Sequence, residues 1–373
     1  GVNMPFVTQQ LAGGAHFTNR EREVSRVLDV MRTNGRLVVY GERRMGKSSL
    51  IKRAAERVQG DGGVVLSADA WGAETLDQIN NAFYKALPRN WLVGDRLALL
   101  LNSLRSLAVL SVDDEGRPTL QLSGTGRDRG EARERFQRLL EGMDRIGASM
   151  DTPVVVVIDE FQRFEDLEDA SVGLLRSLVQ QTPNVAYVLS GSIVGLVSRL
   201  LSPSGPFHAI ERLEVGPIDP EHLVPWIEHK MEANHVGVLA GTGSRICEIA
   251  GPVTEYVLRL AKVVYRRARQ AEGKGEASPD LAEAAFQEVT ADFSGSFELI
   301  WAKLSPSKKQ LLRAVADGEQ HLNARDVIQR YGLGSSSVAS YAINELRDGA
   351  LLAPSKPYRI SDPFLAEWIR GKP

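Results

Sequence analysis

Apolar positions in the first two hundred residues repeat with two different periods. Segments with apolar residues three and four positions apart predict amphipathic helices, and short aliphatic runs between them predict buried strands. From residue 21 onward the two kinds of segment alternate along the chain. This order is typical of an α/β domain in which helices cover a parallel sheet.

Short aliphatic runs bounded by turn residues predict the strands of this sheet. The clearest is PVVVVIDE, whose five consecutive aliphatic residues predict a strand that is buried on both faces and therefore lies centrally. The predicted strands are 37–40, 64–68, 154–158, 185–189 and 212–215. The predicted helices are 21–31, 48–58, 75–87, 95–110, 129–146 and 170–180, with a short hairpin in SVDDEGRPTLQLS.

Strand signals stop after Gly216 and Pro217. Helical patterns follow at 219–235, 242–249, 254–271 and 280–292, and the stretch EGKGEASPD is predicted to be a polar linker. From Ser305 onward the pattern predicts helices, a glycine-containing turn and a two-stranded wing, which together form a winged helix-turn-helix. We therefore predict three domains: an α/β domain (1–217), a helical lid (218–299) and a winged helix (300–373).

The stretch YGERRMGKSSL follows the first predicted strand and precedes a predicted helix. Its residues Gly41, Gly46, Lys47 and Ser48 fit G-x-x-x-x-G-K-[ST] in the context that a P-loop needs. Glycines let successive N–H groups curl around phosphate oxygens at the positive end of the following helix. The motif predicts that Lys47 reaches the β and γ phosphates of a nucleotide and that Ser48 ligates magnesium. The other loop residues assigned to this nucleotide site are Arg43, Arg44, Met45 and Ser49.

A carboxylate pair follows the most apolar predicted strand. Asp159 is predicted to hold Mg²⁺ through water, and Glu160 to orient or deprotonate an attacking water, which distinguishes a hydrolase from a passive nucleotide binder. Ser190 and Ser192, at the end of strand 185–189, are candidates for a γ-phosphate contact. An ordinary turn of small residues is the alternative for this segment.

Phosphoryl transfer also needs a cation that neutralises charge in the transition state. Arg43 and Arg44 in the loop and Arg212 on the last predicted strand are the candidates, with Arg212 assigned to catalysis. The two loop arginines could equally be solvated or face a neighbouring subunit. Arg212 could instead pair with a nearby glutamate on its own strand.

The net charge, the apolar runs and the cysteine content exclude some classes of protein but do not identify a partner. The formal charge of -2 and the 25% of charged residues give no general attraction to nucleic acid or to membrane. No apolar run approaches the length of a membrane span, so no membrane partner is expected. Cys247 is the single cysteine, which indicates a cytoplasmic protein without an internal disulfide. None of the six histidines forms the i, i+4 pair of a helical zinc site.

Four motifs together resemble the STAND and archaeal-type ATPases of the AAA+ lineage, which are related in architecture to the origin-recognition and Cdc6 initiators. They are HFTNREREVSRVL, GERRMGKSSL, VVVVIDEFQRF and VLSGS. The resemblance implies that Phe17, Arg20 and Glu21 lie near adenine and ribose, and that Pro252 in the lid contacts the nucleotide. The plainer alternative for the first motif is the capped start of an amphipathic helix.

The resemblance implies a Mg²⁺-dependent ATPase in which ATP binds between the first two domains and nucleotide state changes the arrangement of lid and winged helix. One alternative is a slow nucleotide-gated switch that signals to a protein partner, and another is an initiator-like, ATP-controlled DNA-binding protein. From residue 300 the chain has 11 Lys+Arg against 7 Asp+Glu, which leaves DNA binding and protein contact both open. A homo-oligomer is a further hypothesis, because the α/β domain has no clear arginine finger.

Overall fold

A computed structural model describes residues 20–123, 129–167, 171–271 and 275–372. The described residues form two compact units. We call residues 20–41 and 47–215 the sheet unit, and residues 42–46 and 216–372 the C-terminal unit. Five residues of the predicted phosphate loop therefore group with the C-terminal half of the chain. A separation of lid and winged helix into two domains stays a prediction.

The sheet unit alternates strands and helices as the periodicity predicts. Its strands are β1 (Arg36–Tyr40), β2 (Val64–Asp69), β3 (Ala108–Val112), β4 (Pro118–Leu122), β5 (Val154–Asp159), β6 (Ala186–Gly191) and β7 (Glu211–Glu214). Its helices are α1 (Glu21–Arg32), α2 (Lys47–Gly60), α3 (Leu76–Ala86), α4 (Gly94–Leu104), α5 (Arg129–Ala148), α6 (Ser171–Gln181) and α7 (Val194–Leu201). Helix α7 was not among the predicted elements.

Five strands form one parallel sheet in the order β2-β5-β6-β1-β7, which confirms the predicted α/β fold. The first five residues of β5 and all six of β6 are buried, because aliphatic side chains face helices on both sides of the sheet. Tyr40 pairs with Gly191, and Asp69 pairs with Asp159. Parallel register thus brings the carboxyl ends of the inner strands to one edge of the sheet.

The predicted helix 95–110 is wrong in its last part. Helix α4 ends at Leu104, where Arg105 has a positive φ of 52°. Residues Ala108–Val112 form β3 instead and pair in antiparallel register with β4. Only Ala108 of this strand is buried, so pairing with β4 decides the conformation of the run. The predicted hairpin is correct, but it begins earlier than expected.

A buried arginine anchors this hairpin to the helices. Arg135 of α5 is fully buried and pairs with Asp77 of α3 at 2.8 Å. Its guanidinium also donates to the carbonyl oxygens of Leu107 and Ser123, at 3.2 and 2.7 Å, next to the two ends of the hairpin. A buried charge is tolerated when ion pairing and hydrogen bonds replace water in this way.

The C-terminal unit is mainly helical. Its elements are α8 (Pro220–Ala233), β8 (Gly237–Val238), α9 (Thr242–Ala250), α10 (Thr254–Gln270), β9 (Glu276–Ala277), α11 (Pro279–Asp292), α12 (Ser294–Ala302), α13 (Pro306–Ala316), α14 (Arg325–Tyr331), α15 (Ser336–Asp348) and α16 (Pro363–Arg370). Within its described residues and those of the sheet unit, none of the helices combines the length and apolar character needed to cross a bilayer.

Two predictions for this unit need correction. The segment expected to be a polar linker contributes β9, which pairs in parallel with β8 and buries Ala277 completely. The expected two-stranded wing is reduced to a single antiparallel bridge between Leu352 and Ile360. The helix-turn-helix itself is present, and Gly332 ends α14 with φ 65°, a backbone conformation that glycine adopts without strain.

Candidate functional site

The phosphate loop has two positions at which the backbone requires glycine. A Cβ atom on Gly41 would lie 2.3 Å from the carbonyl oxygen of Val215, so any larger residue would collide with the backbone of Val215. Gly46 has φ 94°, in the left-handed region that residues with a Cβ avoid. Gly41 closes β1, and Gly46 directly precedes the start of α2 at Lys47. The spacing of the motif therefore fits the geometry of a strand, a tight loop and a helix.

Lys47 occupies the first position of α2 and is only 6% exposed. Its Nζ donates a hydrogen bond of 2.8 Å to the carbonyl oxygen of Gly41. The ammonium thus lies against the loop at the end of the helix where backbone N–H groups have no helical partner. An ammonium group beside the N-terminus of a helix is a favourable place for a phosphate group.

Ser48 and Asp159, the two predicted metal ligands, lie next to each other. Ser48 Oγ donates to Asp159 Oδ2 at 3.3 Å, although 111 residues separate them in the chain. Asp159 Oδ1 accepts hydrogen bonds from the Ser190 hydroxyl and from the backbone N–H of Glu160. A hydroxyl and a carboxylate are hard oxygen ligands of the kind that Mg²⁺ prefers. Among the described residues no group of three or more His, Cys, Asp and Glu side chains could hold a metal by itself.

Glu160 follows Asp159 and has a carboxylate held from two sides. Ser192 donates through its hydroxyl to Oε1 at 2.6 Å and through its backbone N–H to Oε2 at 3.3 Å. Gln162 donates through Nε2 to Oε2 at 2.5 Å. The two candidate serines thus have separate partners, because Ser190 bonds Asp159 and Ser192 bonds Glu160. A γ-phosphate contact from either serine stays a prediction.

A cavity of about 510 Å³ opens beside these groups in the sheet unit. Ser48, Asp159 and Ser190 line one end of it. The rest extends between α2 and the edge strand β2, where Lys52, Glu56 and Asp69 contribute polar groups. The hydroxyl of Ser48 and the carboxylate of Asp159, the predicted metal ligands, therefore face open volume within this unit.

The middle of the phosphate loop makes its contacts within the C-terminal unit. Glu42 accepts a hydrogen bond of 2.6 Å from Arg359, which lies in the wing. Arg44 forms an ion pair with Glu255 in α10, and its guanidinium lies 5.6 Å from the ring centre of Tyr256. The backbone N–H of Glu255 also donates to the carbonyl oxygen of Arg44 at 3.3 Å. The loop is therefore joined both to α10 and to the wing.

A buried acid lies close to this cluster. Asp362 caps α16 by accepting hydrogen bonds from the N–H groups of Phe364 and Leu365. Burial raises the pKa of Asp362, although these N–H groups and the charges of Arg259 and Arg44 act in the opposite direction. Burial likewise raises the pKa of Tyr256, which keeps its hydroxyl neutral.

Several predicted nucleotide contacts have other partners in the structure. Glu21 forms ion pairs with Arg53 and Arg57 of α2, and its hydrogen bond to Arg57 lowers the pKa of Glu21. Arg20 is buried, and this burial lowers the pKa of its guanidinium, an effect that Glu23 opposes. Phe17 lies outside the described residues. These contacts agree with the alternative of a structural role for this segment, and a nucleotide contact stays a prediction.

The remaining candidates are spread over both units. Arg212, on β7 of the sheet unit, donates to the carbonyl oxygen of Leu201 at 3.2 Å. In the C-terminal unit Pro252 is exposed, Met45 is buried and Arg43 is half-buried. Ser49 is half-buried in the first turn of α2. The roles assigned to these five residues stay predictions.

The environment of Cys247 keeps its thiol unreactive. It is buried in α9, and burial together with the charge of Glu228 raises the pKa of its thiol to about 12. A thiol in that environment stays protonated at neutral pH, and it is the thiolate that acts as a nucleophile.

The exposed face of α15, the candidate recognition helix, is polar but not basic. All thirteen of its residues are described, and its exposed ones are Ser336, Ser337, Val338, Tyr341, Asn344 and Asp348. The only cation in the helix, Arg347, is half-buried, donates to the carbonyl oxygen of Ala353 and lies 5.2 Å from the ring centre of Tyr358. This face has no lysine or arginine free to contact a phosphate backbone.

Sequence reasoning missed four residues that contact the predicted site residues. Gln162 stands two positions after Glu160, and a buried amide immediately after the carboxylate pair was the available signal. Glu42 is one of the unassigned positions of the loop motif. Its partner Arg359 is 317 residues away, and the partner of Arg44, Glu255, is 211 residues away. No local pattern indicates contacts at that separation.

Comparison with protein families finds two matches that together cover most of the chain. Residues 16–190 match the family described as AAA ATPase domain, and residues 295–371 match the family described as probable winged helix domain. The first match contains the phosphate loop, the Asp159–Glu160 pair and β5. A comparison with curated protein sequences finds no significant match.

Solved structures of archaeal proteins have the same fold over nearly the whole chain. The Walker-type ATPase of Pyrococcus abyssi is 18% identical, with a TM-score of 0.62, over 98% of this chain and 100% of its own. The ORC2 protein of Aeropyrum pernix, in ADPNP–ADP complexes, is 17% identical, with a TM-score of 0.61, over 97% and 96%. The ORC1 protein of Aeropyrum pernix, in complex with DNA, is 16% identical, with a TM-score of 0.53, over 95% and 93%.

Proposed function

We propose that this chain, whose residues 16–190 match the AAA ATPase domain family and whose residues 295–371 match the probable winged helix domain family, hydrolyses Mg²⁺-ATP at the carboxyl edge of the sheet. In this proposal Lys47 and the N–H groups of the loop bind the β and γ phosphates. Ser48 and Asp159 hold the metal ion, and Glu160 acts as the base.

The observation that carries the proposal is the hydrogen bond of 3.3 Å between Ser48 Oγ and Asp159 Oδ2. It joins the end of the phosphate loop to the end of β5, so one ion could take an oxygen ligand from each. Bound Mg²⁺ would offset the charge of the phosphate oxygens. The adjacent residue Glu160 is then one position along the chain from a metal ligand, where a base for the attacking water is needed.

Two side chains of the protein have direct roles in the proposed reaction, one as a base and one as a group that stabilises negative charge. Glu160 takes a proton from the water, so that the water oxygen forms a bond to the γ-phosphorus while the bond to the bridging oxygen of ADP breaks. Lys47 stabilises the negative charge of the phosphate oxygens with its ammonium group. The buried position of Lys47 supports this role, because a charge acts more strongly where water is excluded.

The decisive test compares two lysines of the sheet unit. We expect Lys47→Ala to weaken ATP binding about 100-fold, which corresponds to ~2.7 kcal/mol, the strength of a charge-assisted contact. Lys85→Ala removes an exposed lysine from α3 and should leave the dissociation constant unchanged. Isothermal titration calorimetry with Mg²⁺-ATP measures both. Unchanged binding by Lys47→Ala, or no binding by the wild type, contradicts the proposed site.

We further propose that nucleotide state changes the arrangement of the lid and the winged helix, as in the STAND type of AAA ATPase. The support is that loop residues Glu42 and Arg44 pair with Arg359 of the wing and Glu255 of α10. A phosphate that binds the loop could shift it relative to these partners, and hydrolysis would then reverse the shift. Nucleotide state would in this way reach the winged helix through charged side chains.

A protein is the partner class that the winged helix supports best. The exposed face of α15 offers Val338 and Tyr341, which are 45% and 66% exposed, and no basic side chain. DNA binding relies on cations that replace the counterions of the phosphate backbone. Exposed aromatic and aliphatic groups are instead typical of protein interfaces. We therefore favour a nucleotide-gated ATPase that signals to a protein over an initiator-like DNA-binding protein.

A further inference from the structure

The amide of Gln162 lies against Glu160 and has no part in the reaction as described so far. Gln162 is fully buried in the short 3-10 helix Phe161–Glu165, which follows β5 after one residue. Its Nε2 donates to Oε2 of Glu160 at 2.5 Å. Burying an amide costs free energy unless its hydrogen bonds compensate, so this contact defines where the carboxylate lies.

Ser192 holds the other side of the same carboxylate. Its hydroxyl donates to Oε1 at 2.6 Å, and its backbone N–H donates to Oε2 at 3.3 Å. Together with Gln162, three donors on two elements fix both oxygens of Glu160. All three donors are neutral, so they restrict rotation of the carboxylate without pairing its charge with a cation.

Gly191 provides the room that Gln162 needs. A Cβ atom on Gly191 would lie 2.6 Å from Oε1 of Gln162 and 2.5 Å from a methyl group of Val197. Both distances are too short for a Cβ atom, which makes no hydrogen bond, so a side chain here would displace the amide or Val197. The glycine of the Ser-Gly-Ser turn is thus explained by the position of Gln162.

The backbone of Glu160 adopts an uncommon conformation that brings these groups together. Its φ and ψ are 55° and 41°, in the left-handed region that residues other than glycine, asparagine and aspartate seldom enter. The carbonyl oxygen of Glu160 accepts a hydrogen bond of 2.9 Å from the N–H of Arg163, which closes the turn. Backbone strain of this kind persists where the surrounding structure enforces it, and it is frequent at functional sites.

We propose that Gln162 is a positioning residue for ATP hydrolysis, which holds the Glu160 carboxylate in the orientation that accepts a proton from the attacking water. The inference rests on the proposed function of Glu160 as the base. An amide suits this task because it donates a hydrogen bond at every pH and adds no charge. Gln162 acts in this proposal through Glu160, to which its amide donates.

The test replaces the amide by an apolar side chain of similar size. We expect Gln162→Met to lower kcat about tenfold to hundredfold, because a misplaced catalytic group costs up to ~100-fold. KM and the dissociation constant for ATP should stay within about twofold of the wild type, since Gln162 contributes no binding contact. Gln181→Met is the matched control, because Gln181 is exposed and bonds Ser177 of its own helix.

A second measurement separates positioning from a merely structural role. In the Glu160→Gln background no base remains to be oriented, so adding Gln162→Met should change the residual single-turnover rate less than about twofold. An equal loss in both backgrounds overturns the proposal, as does a wild-type kcat for Gln162→Met. If Glu160→Gln itself turns over like the wild type, the proposed function fails, which is a separate outcome.

A second apolar variant decides the question if Gln162→Met does not fold. Gln162→Leu also removes the amide donor, so we expect kcat to fall about tenfold to hundredfold while the dissociation constant for ATP stays within about twofold of the wild type. A kcat equal to that of the wild type overturns the proposal.

Discussion

The sheet edge and the C-terminal unit differ in the kind of partner that their charged side chains contact. At the sheet edge the described hydrogen-bond donors to Asp159 and Glu160 are hydroxyl, amide and backbone N–H groups, all of them neutral. In the C-terminal unit the charges of the loop are matched by opposite charges. Arg44 pairs with Glu255, and Glu42 pairs with Arg359.

The difference indicates two tasks for one phosphate loop. Carboxylates that are oriented by neutral donors are not paired with a cation by those bonds, so they can act as ligands of a metal ion. Charges that are paired with each other offer little to a ligand, but they link the segments that carry them. In the proposed function the sheet edge therefore carries out the chemistry, and residues 42–46 link the loop to α10 and to the wing.

The largest effect on activity is expected when a carboxylate is neutralised at the sheet edge, and the same substitution in the loop is the comparison. Glu160→Gln should lower steady-state phosphate release by about 100- to 10,000-fold, the usual contribution of a general base, while ATP still binds. Glu42→Gln makes the same chemical change in the loop and should leave kcat within about threefold of the wild type. A phosphate-release assay at saturating Mg²⁺-ATP measures both.

Either of two results would break this comparison. Equal losses in the two variants mean that charge in the loop matters to chemistry as much as charge at the sheet edge. A wild type that turns over no faster than Glu160→Gln identifies the protein as a switch that binds nucleotide without using a base.

The sheet edge could be predicted because its residues are signalled locally. Lys47, Ser48, Asp159 and Glu160 each stand within a few positions of the end of a strand or the start of a helix, and parallel strands bring such ends to one edge. Four of the five strands of the sheet were located to within one or two residues at each end by aliphatic runs alone. The helix expected to reach residue 110 failed because a cross-strand partner determined its last residues.

The partners of residues 42–46 could not be predicted for a physical reason. Arg359 and Glu255 carry no motif, and charged residues on helices and wings are usually solvated. Only the folded chain brings them within reach of Glu42 and Arg44. The turn at Glu160 could not be predicted either, because nothing in the residue types around Phe161 indicates that Glu160 adopts a left-handed backbone conformation.

A smaller effect is expected from breaking the pair between the loop and the wing. Glu42 and Arg359 lie 2.6 Å apart with side chains that are 11% and 29% exposed. A double-mutant cycle with Glu42→Gln and Arg359→Gln should give a coupling of about 1 kcal/mol in urea unfolding, at the upper end for pairs that water still reaches. We also expect each variant to change the ATP dissociation constant about threefold, which follows from a freed loop.

The control for this pair lies in the winged helix away from the loop. Arg330 pairs with Glu319 at the same distance of 2.6 Å, and Arg330→Gln should alter stability slightly without any change in ATP affinity. Equal changes in ATP affinity for Arg330→Gln and Arg359→Gln would show that the pair between Glu42 and Arg359 affects ATP binding no more than an ion pair that does not involve the loop.

The smallest effect is expected when DNA is offered to the full chain with ATP. Because α15 exposes no cation, we expect fluorescence anisotropy to find only weak binding of duplex DNA, with a shallow dependence on salt between about 50 and 200 mM. Replacing Asn344 and Asp348 by lysine adds two positive charges to the same face and should steepen the slope by about two. Tight binding by the wild type with a steep slope would instead assign the winged helix to DNA, and the cations responsible would then lie outside α15.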